Sequence, residues 1–139
     1  MIAAVVMTVA SSCPATGRAK WGVGFELPAA ISLHLAVCAD VEVATTLPYS
    51  GPARFTLRER LRTIELGNVQ THLVLGAGAA AAQISTCLAW GTCTLVGVEV
   101  ASHQFPVCLH ANIVLLLPWS PNVGGVTLLA EVGCRWDLW

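Results

Sequence analysis

A chain of 139 residues has room for one domain, and its 11% charged and 55% hydrophobic content lies far from the roughly 25% charged composition of soluble domains. A formal net charge of −1 removes the electrostatic case for nucleic acid or an anionic surface as partner. Six cysteines stand at 13, 38, 87, 93, 108 and 134 without a CxxC pair or histidines at ligand spacing, so they read as buried thiols and no metal site is expected.

In chain order, residues 1–12 are apolar and readable as a strand, a signal remnant or a disordered start. Residues 13–24 hold Pro14, Gly17, Gly22 and Gly24 and read as loop. Residues 27–39 follow Pro28 with helix formers, and 40–43 alternate as a short strand does. Residues 47–52 form a turn that carries Tyr49. Residues 55–66, FTLRERLRTIEL, predict an amphipathic helix with a capping box at Thr56 and Glu59, its arginines on a solvated face. Gly67 and Asn68 end it.

The densest stretch is 72–100. Leu73, Val74 and Leu75 have the length and character of a buried strand; Gly76, Ala77 and Gly78 make a turn; 79–90 is rich in helix formers and stops at Gly91; 94–98 is a second strand that ends at Glu99. Strand, glycine turn, helix, strand and acid is the order of a nucleotide-binding βαβ half, and Glu99 follows Gly78 at about the spacing expected of a ribose acceptor. Farther on, 101–106 is a polar link, 107–110 is helical, 111–117 is an apolar strand, 118–122 is a loop at its end, and 126–132 is a further apolar element. The fold class expected is α/β, a partial Rossmann-like parallel sheet. A helix and loop segment over 1–52 precedes an incomplete cofactor-binding core over 53–139.

The stretch from Tyr49 to Ser102 resembles the cofactor core of class I S-adenosylmethionine-dependent methyltransferases, most nearly the disruptor-of-telomeric-silencing type of histone lysine methyltransferase. The resemblance rests on Tyr49, the 55–66 element, Leu75-Gly76-Ala77-Gly78, Cys93 and Gly97-Val98-Glu99. It implies S-adenosylmethionine as cofactor, with Gly76, Gly78, Glu99 and Tyr49 around it, a protein substrate such as a histone lysine, and a nuclear location. Val74 stands where that family carries an acid, and catalytic residues stay unassigned, as does whether methyl transfer occurs.

Two alternatives stay open. Gly76, Gly78 and Ala81 also satisfy GxGxxG/A, which points to an NAD- or FAD-binding oxidoreductase fragment. The charge-free runs 66–98 and 100–130 are long enough to span a bilayer, so a small membrane protein with segments at 72–98 and 107–130 is the other.

Overall fold

The computed structural model describes residues 21–27, 29–84, 87–119 and 125–138, and every described element is a β-strand. The strands are β1 (Trp21–Leu27), β2 (Ala30–Ala36), β3 (Val41–Pro48), β4 (Ala53–Leu66), β5 (Val69–Ile84), β6 (Cys87–Ser102), β7 (Val107–Pro118) and β8 (Thr127–Leu138). Each pairs antiparallel with its neighbours in sequence, and β8 pairs with β1, which closes the sheet into a barrel.

The tilt follows from the register. Direct pairs lead from Thr127 through Leu116, Cys93, Gly78, Thr56, Ala44, His34 and Gly22 back to β8 at Asp137. The circuit returns ten residues from its start, 127 against 137. A stagger of that size over eight strands tilts them about 40° from the axis and leaves a lumen just wide enough for side chains to fill. β1 begins and β8 ends at the same rim, called here the terminal rim; the turn at 49–52, the end of β7 and the start of β8 lie at the opposite, far rim.

Period-two alternation decides which face each residue takes. In β1, Gly22, Gly24 and Glu26 point inward while Trp21, Val23, Phe25 and Leu27 are exposed outside. In β7, Cys108, His110, Asn112 and Val114 point inward while Leu109, Ile113 and Leu117 point out. The rule holds around the wall, and it inverts the usual globular pattern of apolar inside and polar outside.

The fold corrects the α/β expectation. The sheet is antiparallel, the described residues include no crossover helix, and the Rossmann-like reading is overturned. The predicted helix over 55–66 lies within β4, that over 79–90 is divided between β5 and β6, 27–39 falls mostly on β2, and 107–110 opens β7. Gly76-Ala77-Gly78 is not a turn but the middle of β5, paired on one side to Thr56-Leu57-Arg58 and on the other to Cys93, Thr94 and Leu95. The alanine run favours helix by intrinsic propensity, yet a full ladder on each flank outweighs a preference of a few tenths of a kcal/mol per residue. The paired membrane helices over 72–98 and 107–130 are overturned by the same strands, and no described helix is long and apolar enough to cross a bilayer. The boundary placed after residue 52 falls in the β3–β4 turn, and the described strands on both sides share one closed sheet. The readings for 1–12 and most of 13–24 lie outside the described residues.

Gly67 and Asn68 do form a turn, between β4 and β5, with Gly67 at φ 62°. A left-handed backbone there disfavours any Cβ, so Gly67→Ala is expected to cost about 1 kcal/mol, read as a lowered midpoint in urea unfolding.

Candidate functional site

The charged side chains that the sequence places one apart from apolar ones meet inside the barrel. Glu26, Glu42, Arg54, Arg58, Glu99, Glu131 and Arg135 are all buried, with His34, His110 and Asn112 among them. Burying ions costs several kcal/mol each unless they are paired, and here they are paired in two groups.

The first group lies toward the terminal rim. Arg135 donates from Nη1 to Glu42 at 2.8 Å and from Nε to Asp137 at 2.7 Å, and its Nη1 lies 3.5 Å from Glu99. Arg58 reaches Glu42 at 3.4 Å and Glu99 at 3.5 Å, and half-buried Arg60 reaches Glu99 at 3.4 Å. His34 holds Glu42 through Nδ1 at 3.0 Å and Ser32 through Nε2 at 2.9 Å. Two carboxylates thus face three guanidiniums, with Asp137 as a third acid at the mouth. The second group lies deeper. Arg54 bridges Glu26, at 3.4 Å, and Glu131, while His110 Nε2 stands 3.6 Å from Glu26.

Above the first group, at the terminal rim, opens a polar vestibule of about 350 Å³, bounded by His34, Glu42, Arg60, His72, Arg135 and Asp137 with the 102–106 turn over it. Beyond the second group the lumen becomes apolar. Ala80, Cys93, Leu95 and Val114 pack together with Leu116 and Leu129 against them, and Val74, paired across the sheet with Arg60, extends the cluster toward the terminal rim. A smaller apolar recess of about 210 Å³ lies at the far rim beside Ala80, Leu116 and Leu129. The lumen is therefore polar and open at one end and oily at the other, with the ion pairs crossing its middle.

Glycines set the bore. A Cβ on Gly78 would run into the Phe55 carbonyl of β4, and one on Gly133 would come within 2.6 Å of the His110 ring. Gly78→Ala is expected to push the β4–β5 ladder apart and cost about 1–3 kcal/mol, measured by urea unfolding of the refolded barrel.

The four residues that the sequence gathers around a cofactor are spread through this structure. Gly76 and Gly78 are inward positions of the wall. Glu99 is 1% exposed within the first ion group. Tyr49 is 94% exposed in the β3–β4 turn at the opposite rim from Glu99. Trp119 is exposed at the far rim. Of the histidines, His34, His72 and His110 are interior, with His72 Nδ1 2.8 Å from Thr63 Oγ1. Of the thiols, Cys93 and Cys108 are buried, whereas Cys134 lies on the outer face. None of the lumen residues Glu26, Glu42, Arg54, Glu131 and Arg135 is assigned a site role by the sequence; the signal available was their strict alternation with apolar neighbours, as in 131–135 and 54–58.

These features define a class: a small, closed, antiparallel barrel with a charged lumen and an apolar exterior. Among solved structures, the crystal structure of the N-terminal β-barrel domain of Pseudomonas aeruginosa OprF is similar, with a TM-score of 0.57 at 10% sequence identity over 86% of this chain and 95% of that one. At that identity the likeness shows the fold, and it supports the barrel against a methyltransferase. No family model matches the chain, and no curated protein matches it.

Proposed function

We propose that this chain is an integral membrane β-barrel of the outer-membrane type, closed by its own side chains and serving as a bilayer-embedded anchor, without an open pore. The observation that carries the reading is the inversion of the wall. Large apolar side chains, among them Phe25, Leu33, Phe55, Leu75, Ile113 and Val132, stand 43–57% exposed on all sides of the barrel, while seven charged ones are buried. Soluble monomers rarely expose a continuous apolar patch beyond a few hundred Å², and a belt encircling the molecule in water has no counterpart among them.

The dimensions agree with a bilayer. The outward residues of β8 from Leu128 to Leu138 carry no charge, and ten steps of about 3.3 Å at a 40° tilt give a band about 25 Å tall. Exposed Trp21 and Trp136 mark its terminal edge, and Trp90 and Trp119 mark its far edge, the placement of interfacial aromatic belts. Closure leaves no wall strand with an unpaired edge in lipid. The reading replaces the methyltransferase, the oxidoreductase and the helical-hairpin alternatives, and with them the nuclear location that came only from the resemblance.

The test is fractionation of cells expressing the full chain, followed by refolding of the purified protein into detergent micelles and lipid vesicles. The protein is expected in the carbonate-resistant membrane pellet, and the refolded form is expected to run differently on gels before and after boiling. Recovery as a detergent-free soluble monomer overturns the proposal.

A further inference from the structure

The middle of the lumen holds polar atoms that the protein itself does not satisfy. Both ring nitrogens of His110, both amide atoms of Asn112, Glu26 Oε1, Glu131 Oε2 and Arg58 Nε are buried with no partner at hydrogen-bond length, His110 Nε2 and Glu26 Oε1 standing 3.6 Å apart. They are neighbours. Asn112 pairs across the sheet with Glu131, and His110 pairs with Gly133, which itself pairs with Glu26. The four residues Glu26, His110, Asn112 and Glu131 are each at most 8% exposed.

More than nine in ten buried polar groups in folded proteins find a partner, and a desolvated group left alone costs about 1–3 kcal/mol. Even with Glu26 and His110 facing each other, Asn112, Glu131 and Arg58 leave a cluster that something small and polar would complete. The donor set names the class. It mixes acceptors (Glu26, Glu131, Asn112 Oδ1) with donors (Arg58 Nε, Asn112 Nδ2), and each imidazole offers one of each. A cation would answer the acceptors alone, and an anion the donors alone. Water answers both.

We propose that the mid-lumen binds a string of ordered water molecules on His110, Asn112, Glu26, Glu131 and Arg58, supplied from the terminal vestibule and stopped by the apolar cluster beyond. The entry route is short. His34 bounds the vestibule, and its ring centroid lies 6.2 Å from that of His110, so a single side-chain layer separates the two spaces. On the far side, Val114, Cys93 and Leu95 offer no polar partner, and buried water needs two to four. Solvent access to the lumen is therefore one-sided, which goes beyond the anchoring role and holds for the barrel whatever surrounds it.

The experiment uses the full chain, isotopically labelled and refolded in detergent micelles, with magnetisation transfer from water recorded by nuclear magnetic resonance. Transfer is expected to the Asn112 side-chain amide and the His110 ring, and none to the Val114 methyl groups. An Asn112 amide without a water cross-peak, in a barrel that otherwise gives its full set of signals, overturns the proposal. Asn112→Leu supplies the second readout. If waters complete the cluster, this variant folds with a lower urea midpoint than the parent, because it strips partners from bound water. A midpoint equal to or above that of the parent means the atoms were dry, and the proposal falls. Failure to enter membranes would overturn the anchoring role while leaving both of these readouts intact.

Discussion

Replacing Glu99 by alanine is expected to lower the stability of the refolded barrel by about 3–5 kcal/mol, the range for removing one partner from a buried ion network. Glu99 is 1% exposed and lies 3.4–3.5 Å from Arg58, Arg60 and Arg135. Without it, three guanidiniums share Glu42 and the mouth residue Asp137, in a lumen too narrow to rehydrate them fully. The effect comes from the arginines left unpaired more than from the lost contacts. The double variant Glu99→Ala, Arg58→Leu should therefore recover part of the loss, a coupling that a double-mutant cycle isolates. Urea unfolding in micelles, followed by the fluorescence of the five tryptophans, measures all three differences. A loss below about 1 kcal/mol for Glu99→Ala would show the network to be screened by solvent as surface pairs are.

The second large effect is on the opposite face. Ile113 is 50% exposed at mid-height on the outside of β7, between Val96 and Ala130 on the neighbouring strands. In a bilayer, Ile113→Arg should cost about 2–4 kcal/mol, the penalty for a cation at the lipid midplane of a barrel. The sign reverses if that face meets water, because an arginine there would only improve solubility. Unfolding of the parent and the variant in lipid vesicles decides between the two. A neutral or stabilising outcome removes the membrane placement, while leaving the barrel and its lumen untouched.

The two experiments address the same property from either side. A soluble domain places its charges outward and draws its stability from an apolar interior. Here the polar groups turn inward, where only mutual pairing makes them tolerable, and the apolar ones face outward, where only lipid makes them so. The glycines and alanines of β5 follow from the first requirement. An eight-stranded lumen that must hold four arginines, with Arg60 half-buried at its mouth, has little space for side chains elsewhere, so Gly76, Gly78 and Ala80 stand opposite the filled positions.

That economy is also what hid the fold in the sequence. Over 73–80 the inward residues are Val74, Gly76, Gly78 and Ala80 and the outward ones Leu73, Leu75, Ala77 and Ala79, so both faces are small or apolar and the period-two signal vanishes. What remains legible is glycine flanked by alanine, which has the look of a cofactor turn and the propensity of a helix. In 55–66 the arginines at 58, 60 and 62 and the acids at 59 and 65 can be arranged on a helical face nearly as well as on a strand. The bulge between Arg60 and Arg62 breaks the alternation that would have told them apart. By contrast, the strands read at 40–43, 73–75, 94–98 and 111–117 fall within or at the start of β3, β5, β6 and β7, while 107–110, read as helix, opens β7.

By itself the sequence determined a one-domain chain, too apolar for an ordinary soluble protein, with a turn at Gly67 and several apolar strands. Those are local properties, settled by composition and by the conformational needs of single residues. Which strands pair, that they close on themselves, and that Glu26, Glu42, Glu99 and Glu131 meet Arg54, Arg58 and Arg135 across separations of 16 to 93 residues were decided only in three dimensions. Closure is a condition on all eight strands at once, set by the ten-residue stagger. It decides which face of each strand is inside, and hence whether a charge is a surface group or part of the core.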